Sequence, residues 1–288
     1  MEGSARPARR FKYDYGGLRV IALSNEKGGV AKTTSCINLA ACLAQRGLEV
    51  LVLDMDPQAN ASLGLGVDPS RLSEQPDRLL TDERQSLARA IVKTQVKGLD
   101  LIPADNALAS ASKALVAEVG RETRLRTKIL QHVRSPFSKK YDYMMIDCPP
   151  TLDLITHNVL IAATDLIVPV QPRFYSVQGM ALLAETIRSL YRQLDPEIKL
   201  LGILVTLFDK STALDQAIYE LLKERVESEF GPDFLFKSVI TRSILIGETE
   251  LSDLPIVLRE PGSRAAEAYQ AVAEEMLARL ESRPAVAH

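Results

Sequence analysis

The residues best suited to chemistry are concentrated in one short run, residues 25–34, which reads Asn-Glu-Lys-Gly-Gly-Val-Ala-Lys-Thr-Thr. The run follows an apolar stretch, Val20 to Leu23, and precedes a helical pattern that begins near Thr33. A strand, a glycine-bearing turn and a helix N-terminus, in that order, form an anion site, because backbone N–H groups converge there and the helix dipole adds about half a positive charge. Lys32 is then expected to contact the β- and γ-phosphates, and the Thr33 hydroxyl to coordinate magnesium.

The glycines of this run and its first lysine define its type. Gly28 and Gly29 permit positive φ and a close approach to a ligand that a Cβ would obstruct. The generic pattern GxxxxGK[ST] is not satisfied, because Glu26 and Ala31 stand where it requires glycine. The pattern KGGxxK[ST][ST] fits instead, and its additional feature is Lys27 at the start.

In this pattern the sequence resembles the ParA/MinD superfamily of ATPases. The resemblance implies that Lys27 reaches across a dimer to the phosphates of the partner's nucleotide, and that Thr34 is the next donor, toward the α-phosphate. The family normally has glycine at the position of Ala31. If that position requires positive φ, alanine costs about 1–2 kcal/mol and weakens nucleotide binding. The residues implied to bind ATP are Lys27, Gly28, Gly29, Val30, Ala31, Lys32, Thr33 and Thr34.

Two carboxylates follow the next apolar run, Val50 to Leu53. Asp54 and Asp56 leave the end of a predicted strand, where parallel sheets bind ligands. Carboxylates at strand ends also serve simply to form turns. The stretch resembles the family's DxDPQ motif, which implies that Asp56 positions or polarises the attacking water. The same resemblance implies that Asp54 supports the magnesium shell or the partner's Lys27.

A second strand ends in a carboxylate at Asp147, after the apolar residues 143–146. This arrangement has the form of a Walker B element, in which the carboxylate holds Mg²⁺, usually through a water. The prolines at 149 and 150 stiffen the exit and remove two amide donors. The resemblance implies that residues 147–150 sense the γ-phosphate and that a helix over residues 151–163 follows.

Composition limits the classes of function that remain. Thirty-five basic and 37 acidic side chains give a formal net charge of −2, so no global field attracts DNA or a membrane. Three widely spaced cysteines in apolar surroundings, Cys36, Cys42 and Cys148, indicate reduced core residues rather than a disulfide or metal framework. The sequence has no run of 18 apolar residues and no apolar N-terminal segment of signal-peptide type, so we expect a cytoplasmic protein.

Apolar strands that alternate with helical stretches predict an α/β fold: a parallel-sheet P-loop NTPase fold with helices on both faces, in a single domain. We assign residues 18–288 to this domain and residues 1–17 to a flexible basic arm. Further strands are predicted at 99–104, 166–170, 200–208, 234–240 and 256–258. Further helices are predicted around 87–92 and at 106–133, with a break near Gly120, and at 176–194, 213–230 and 264–280.

The resemblance also implies sites near the C-terminus. The nucleotide base would be held by the end of the strand at 200–208 and the loop after residue 240, at Thr206, Phe208, Thr241 and Ser243. Relatives usually have Ile-Pro-Arg-Asn and a second arginine after the latter strand, whereas residues 240–245 here read Ile-Thr-Arg-Ser-Ile-Leu. Weak DNA contacts are expected from Lys237, Arg242, Arg259 and Arg264.

As a whole, the resemblance implies a slow ATPase that uses ATP and Mg²⁺ and forms a homodimer with ATP. The dimer would bind nonspecific DNA on the nucleoid and segregate chromosome or plasmid cargo with a ParB-like partner that stimulates hydrolysis. One alternative keeps the fold but positions a protein assembly. A MinD-like membrane ATPase, an iron–sulfur ATPase of the nitrogenase reductase type and a bacterial tyrosine kinase fit less well. They would need a lysine-rich amphipathic C-terminal helix, paired cluster cysteines and a C-terminal tyrosine cluster, respectively.

Overall fold

The computed structural model describes residues 15–72, 79–82, 84–104, 108–172, 198–244, 246 and 253–282. Within these residues, seven strands form one sheet in the order β3-β4-β2-β5-β1-β6-β7. Every neighbouring pair is parallel except β3 with β4, so the predicted α/β fold with a parallel sheet is confirmed. The strands are β1 Arg19–Leu23, β2 Val50–Asp54, β3 Val92–Lys93, β4 Leu99–Ile102, β5 Tyr143–Asp147, β6 Asp165–Val170 and β7 Lys199–Val205.

The strands are apolar throughout because both faces of the sheet are covered. All five residues of β2 and all six of β6 are buried. Alternate residues of β2 enter two different apolar clusters, Leu51 and Leu53 in one and Val50 and Val52 in the other. The period of two along the strand therefore divides the core into one layer on each face, as predicted.

Helices form these two layers. The first helix and the last pack together on one face, and α5 and α6 pack together on the other. The helices are α1 Lys32–Gln45, α2 Asn60–Gly64, α3 Leu87–Ala90, α4 Leu108–Leu115, α5 Arg124–Arg134, α6 Leu154–Ala162, α7 Ala213–Phe230, α8 Ile256–Arg259 and α9 Arg264–Ser282. The predicted break in the helix over 106–133 is present at Gly120, whose φ is 71°.

The predicted strand at residues 234–240 is wrong. This segment runs beside β7 and makes a single bridge, between Ile203 and Leu235. The Arg279 guanidinium of α9 donates hydrogen bonds to the carbonyls of Leu201, Asp233 and Leu235, at 3.1, 2.6 and 2.6 Å. A side chain therefore satisfies carbonyls that a further strand would otherwise pair.

Two other local predictions also need correction. Residues 256–258 form part of the short helix α8 and not a strand, since the amides of Arg259 and Glu260 bond to the carbonyls of Pro255 and Ile256, four residues earlier. The helix near residue 87 ends at Ala90, and Val92 opens the antiparallel edge strand β3.

The start of the folded unit differs from the predicted boundary at Leu18. Tyr15 is buried in the core, and its hydroxyl donates to the carbonyl of Ala162 at 2.9 Å. Residues 15–17 therefore belong to the folded unit. The rest of the predicted arm, residues 1–14, and the predicted helix over 176–194 lie outside the described residues.

Candidate functional site

Three loops meet at the carboxyl edge of the sheet because β5 lies between β1 and β2. The loop after β1 and the start of α1 carry residues 25–34, which we call the phosphate loop. The predicted carboxylates Asp54 and Asp147 end β2 and β5, and Asp56 follows β2. Together they enclose a cavity of about 280 Å³. Its wall consists of Gly28, Gly29, Ala31, Lys32, Thr33, Thr34, Ile37, Asp56, Gln58, Asn60, Leu63, Gly64 and Pro150.

The backbone of the phosphate loop is left-handed at two positions that line this cavity. Gly29 has a φ of 71°, and Ala31 has φ 56° and ψ 37°. The position of Ala31 therefore does require a positive φ. Alanine there raises the free energy of the folded state, because L-residues other than glycine are strained in the left-handed region. Gly28 lacks a positive φ, and a Cβ added at Gly28 or Gly29 would meet nothing within 4 Å of protein. Only a ligand in the cavity could make the small size of Gly28 necessary.

The N-terminus of α1 is open toward an anion. Among the described side chains, none caps this helix, and its first turn contains no acidic residue. The amide of Ser35 makes the first backbone bond, to the carbonyl of Ala31 at 3.0 Å. The amides before Ser35 consequently lack an intrahelical acceptor, which is the arrangement that binds phosphate oxygens at helix N-termini.

Lys32 lies across the phosphate loop. Its ammonium donates to the carbonyl of Lys27 at 2.9 Å, and the side chain is almost completely buried. Burial lowers the pKa of Lys32, and the negative charges of Asp147 and Asp56 offset part of this effect. A phosphate oxygen carries more negative charge than a carbonyl, so it could replace the carbonyl of Lys27 as acceptor.

Asp147 is the best candidate for a metal ligand. It is fully buried at the end of β5; the Thr33 hydroxyl lies near its carboxylate, but neither carboxylate oxygen accepts a well-formed hydrogen bond from the part of the chain that the structure describes. Asp147 stands in register with Asp54 on β2. Burial and the neighbouring Asp54 raise the pKa of Asp147, while the Thr33 hydroxyl and the Lys32 ammonium act in the opposite direction. A divalent cation would bind the Asp147 oxygens and reduce the repulsion between the two carboxylates.

This donor set fits Mg²⁺. In the described residues no three His, Cys, Asp or Glu side chains are grouped so that they could hold a metal ion by themselves. Magnesium at a phosphate site normally takes one or two carboxylates and completes its shell with waters and phosphate oxygens. Asp147 and the Thr33 hydroxyl are the protein ligands we assign to it.

Both carboxylate oxygens of Asp54 accept hydrogen bonds from residues that follow it closely in the chain. Its Oδ1 accepts the amide of Asp56 at 3.1 Å, and its Oδ2 accepts the amide and hydroxyl of Ser62 at 2.8 and 2.7 Å. Burial raises the pKa of Asp54, and the hydrogen bonds from Ser62 and Asp56 reduce this rise. With both oxygens occupied, Asp54 is better placed to hold the loop that carries Asp56 than to bind magnesium. Asp56 itself lies on the cavity wall and accepts the amide of Gln58 at 3.0 Å.

The four residues expected to hold the base do not lie on the cavity wall. Thr206 is fully buried, and its hydroxyl contacts the carbonyls of Val30 and Val170 at 3.0 and 3.1 Å. Phe208 is buried, and its ring packs against Tyr219 with the ring centroids 5.3 Å apart. Thr206 therefore braces the phosphate loop, and Phe208 belongs to the core. Thr241, which bridges to Phe208, and Ser243 are half-buried nearby along the chain.

Sequence reasoning missed part of the cavity wall. Most of these residues follow the carboxylate motif, in the loop after β2 and the short helix α2. A five-residue helix is too short to produce a recognisable periodic pattern, so the only available signal was proximity to that motif. The wall residues that were given no role are Ile37, Gln58, Asn60, Leu63 and Gly64, whereas Pro150 was expected within residues 147–150.

The four expected DNA contacts lie in the C-terminal part of the chain. Lys237, Arg242 and Arg264 are exposed, and Arg259 is half-buried. Arg259 ends α8 and Arg264 begins α9, whereas the amide of Lys237 donates to Glu275 of α9 at 2.9 Å.

Three observations in the described residues bear on the rival interpretations. Helix α9 buries its apolar side against α1, including Tyr269, Val272 and Met276. All three cysteines are buried and unlinked. None of the helices that the structure describes is long and apolar enough to cross a bilayer.

Comparison with known proteins places these features in context. A protein-family model described as an AAA domain matches residues 18–200. The chain is 38% identical over 260 residues to the sporulation initiation inhibitor protein Soj of Bacillus subtilis, covering 90% of this chain and 98% of Soj. It is 35% identical over 270 residues to the chromosome partitioning protein ParA of Caulobacter vibrioides, covering 94% and 98% of the two chains.

A solved structure supports the same fold. Cobyrinic acid a,c-diamide synthase from Mycobacterium smegmatis, with a bound ATP analog and magnesium, superimposes with a TM-score of 0.75 at 31% identity. The superposition covers 92% of this chain and 96% of the synthase.

Proposed function

Because this chain belongs to the ParA/Soj family of P-loop ATPases, we propose that it is a partitioning ATPase that binds nonspecific DNA as an ATP-bound dimer. The observation that carries the proposal is the cavity at the sheet edge, lined by Lys32 and the open N-terminus of α1, with the fully buried carboxylate of Asp147 close enough to Lys32 to influence its pKa. A triphosphate with a divalent cation supplies the charges that this arrangement lacks. Simple anion binding would leave Asp147 unexplained.

Each residue of the cavity has a distinct task in hydrolysis. The α1 amides and Lys32 hold the phosphates and stabilise the charge that develops on them. Asp147 and Thr33 would hold Mg²⁺, which would supply positive charge to offset the negative charge of the phosphates. Asp56, on the cavity wall, aligns the attacking water. Turnover is slow until a ParB-like partner stimulates it.

The ATP-bound dimer is the proposed link between the cavity and DNA. Lys27 of each protomer would reach the phosphates of the other, so loss of the γ-phosphate would loosen the pair. With a net charge of only −2, the protein has no strong attraction for DNA. Pairing two weak basic surfaces therefore converts weak contacts into useful affinity. Lys237, Arg242, Arg259 and Arg264 are the proposed contacts.

The test is a DNA-binding measurement with ATP, ADP and no nucleotide across a salt series. We expect binding with ATP alone, and an affinity that falls steeply with salt, because displaced counterions set the slope. Lys32→Ala, which removes the ammonium from the phosphate loop, should abolish both ATP binding and DNA binding. Equal DNA affinity in all three nucleotide states would refute the proposal.

The cargo separates two versions of this function. A chromosome or plasmid would be recognised through a ParB-like protein bound to DNA, and a protein assembly through a different adaptor on the same ATPase. The relatives named Soj and ParA favour the first version. Co-purification of the ATP-bound form with a centromere-binding protein would identify the cargo, and we propose the nucleoid as its location.

A further inference from the structure

A buried asparagine in α1 connects the phosphate loop with the C-terminal part of the chain. Asn38 has no exposed surface, and its Nδ2 donates to the carbonyl of Thr34 at 2.8 Å. Its Oδ1 accepts the amide of Val257 in α8 at 3.1 Å. One planar amide thus joins a residue on the cavity wall to a helix 219 positions later in the chain.

The helix that carries Asn38 packs directly against both C-terminal helices, α8 and α9. Helix α1 begins in the phosphate loop and packs along both α8 and α9. The hydroxyls of Ser35 and Tyr269 lie 3.4 Å apart in the same buried contact between α1 and α9. Close-packed interiors transmit displacements and leave little free volume to absorb them. A movement at the start of α1 would therefore reach α8 and α9.

The far end of the connection carries two of the proposed DNA contacts. Val257 lies two residues before Arg259, within the single turn of α8. Arg264 follows as the first residue of α9. The amide that Asn38 accepts is consequently part of the backbone that orients Arg259 and leads into Arg264.

We propose that Asn38 is a positioning residue that couples nucleotide binding at the phosphate loop to the placement of α8, and through it to Arg259 and Arg264. The inference rests on the proposed function, because it assigns the route by which nucleotide state reaches the DNA contacts. Coupling of this kind typically changes affinity about 5- to 150-fold. It is also reciprocal, so DNA would raise ATP affinity by the same factor.

The first test does not depend on DNA. Amide hydrogen exchange is measured with and without a non-hydrolysable ATP analogue and Mg²⁺. In the wild-type protein the analogue should slow exchange both in residues 25–34 and in residues 253–264. In Asn38→Ser the response at 25–34 should persist and the response at 253–264 should disappear.

The choice of variants isolates the role of Asn38. A serine hydroxyl can bond to the carbonyl four residues earlier, that of Thr34, but it is too short to reach Val257. Tyr269→Phe is the matched control, since it removes the hydroxyl contact with Ser35 and leaves the Asn38 contacts intact. Tyr269→Phe should respond as the wild type does. Loss of the 253–264 response in Tyr269→Phe as well would reduce the effect to general helix packing and overturn the assignment to Asn38.

The second test measures coupling as a ratio of DNA affinities with and without the analogue. We expect about 5- to 150-fold in the wild type and close to 1 in Asn38→Ser. The analogue's affinity in the absence of DNA should be similar in both proteins. An unaltered ratio in Asn38→Ser would overturn the proposal. If the wild type bound no DNA with ATP, the proposed function would fail, and the exchange experiment would still decide whether α8 responds to nucleotide.

Discussion

At the scale of single residues, Ala31 shows how the phosphate loop accepts strain. Its φ of 56° places an alanine in the left-handed region immediately before α1. Ala59 shares this conformation before α2, with φ 55°, but its methyl group is buried in the core. The same backbone angle therefore has a different cost at the two positions, because one methyl contributes burial and the other lines a cavity.

Ala31→Gly should raise the free energy of unfolding by about 0.5–1 kcal/mol, since relief of the left-handed strain exceeds the added entropy of the unfolded chain. We also expect tighter ATP binding, because the loop no longer resists its bound shape. Ala59→Gly serves as the control and should gain less, since burial of its methyl is worth about 0.8 kcal/mol. Urea denaturation and nucleotide titration measure the two effects. A destabilised Ala31→Gly protein would contradict the strain argument.

Asp147 is the residue whose environment is least favourable without a ligand. Asp147→Asn should stabilise the ligand-free protein by about 1–2 kcal/mol, because it removes a carboxylate whose charged form is disfavoured by burial and by the neighbouring Asp54. The affinity for ATP with Mg²⁺ should fall by about 10-fold or more, because the metal loses its carboxylate. Thermal unfolding with and without Mg²⁺ and ATP measures both changes.

Asp56→Ala is the matched comparison for that variant. It should retain Mg²⁺-dependent ATP binding and dimerisation and lose turnover, since Asp56 is proposed to align water and not to bind metal. Ordinary turnover in Asp56→Ala would exclude this role. Identical binding defects in the Asp147 and Asp56 variants would show that the two carboxylates are not functionally distinct.

At the scale of elements, the end of β7 braces the phosphate loop through Thr206. The hydroxyl of Thr206 contacts the carbonyl of Val30, the residue before the strained Ala31. Asn25 makes a second brace, since its Nδ2 donates to the carbonyl of Pro169 in β6 at 2.7 Å. The two neighbouring strands therefore hold both ends of the loop in the shape that a phosphate requires.

Thr206→Val removes the hydroxyl and conserves the shape of the side chain. We expect ATP affinity to fall by about 5- to 10-fold, from the loss of about 1 kcal/mol per hydrogen bond. Thr206→Ser, which keeps the hydroxyl, should bind ATP nearly as the wild type does. Calorimetric titration of the three proteins tests this. Equal loss in the serine and valine variants would point to the methyl group and to packing.

A different polar cluster, centred on Asp100 of β4, stabilises the side of the sheet formed by β3 and β4. Its Oδ2 accepts Lys93, Lys139 and Tyr141 at 2.8, 2.9 and 2.7 Å. Burial acts to raise the pKa of Asp100, but the three hydrogen bonds outweigh it and lower the pKa below its ordinary value. This carboxylate ties the edge strand β3 and the segment before β5 to β4.

Asp100→Asn should lower the free energy of unfolding by about 1–3 kcal/mol at neutral pH. Because the folded-state pKa of Asp100 is depressed, its contribution is present above the unfolded value of about 3.9 and is lost as pH falls through the folded-state pKa. The difference between wild type and variant should therefore shrink in acid. Denaturant titrations at neutral pH and below that unfolded value measure the difference at each pH. A difference independent of pH would assign the effect to packing.

At the scale of the whole molecule, the proposed dimer depends on Lys27. Its backbone is held inside the loop, with the amide donating to the Asn25 side chain at 3.0 Å and the carbonyl accepting Lys32. The Lys27 side chain is half-buried, and burial lowers its pKa. Lys27 directly precedes Gly28 of the cavity wall, and we propose that its ammonium meets phosphates across the dimer interface.

Lys27→Ala should bind ATP but form the ATP-dependent dimer at least about 10-fold more weakly, because truncating one partner of a buried charge pair is costly. Lys223→Ala, on the exposed side of α7, is the control and should dimerise normally. Light scattering with ATP and Mg²⁺ distinguishes the two. A normal dimer in Lys27→Ala would remove this lysine from the interface.

Local sequence patterns were sufficient for most of the architecture and the centre of the site. Apolar strand runs and helical periodicity reflect burial that each segment must achieve, so β2 and α7 were predicted nearly to the residue. The phosphate loop and the carboxylates at 54, 56 and 147 were likewise recognisable. In parallel sheets the loops after neighbouring strands must converge, so their meeting followed from the pattern.

The tertiary structure decided what each of those residues can do. Asp54 and Asp147 each end an apolar strand, yet Ser62 donates two hydrogen bonds to Asp54, whereas no described donor makes a well-formed hydrogen bond to Asp147. Thr206 bonds to Val30 of the phosphate loop, 176 positions earlier in the chain, and Arg279 donates hydrogen bonds to carbonyls beside β7. These roles depend on hydrogen bonds between groups far apart in the chain, and no local periodicity encodes which distant donor a buried acceptor will meet.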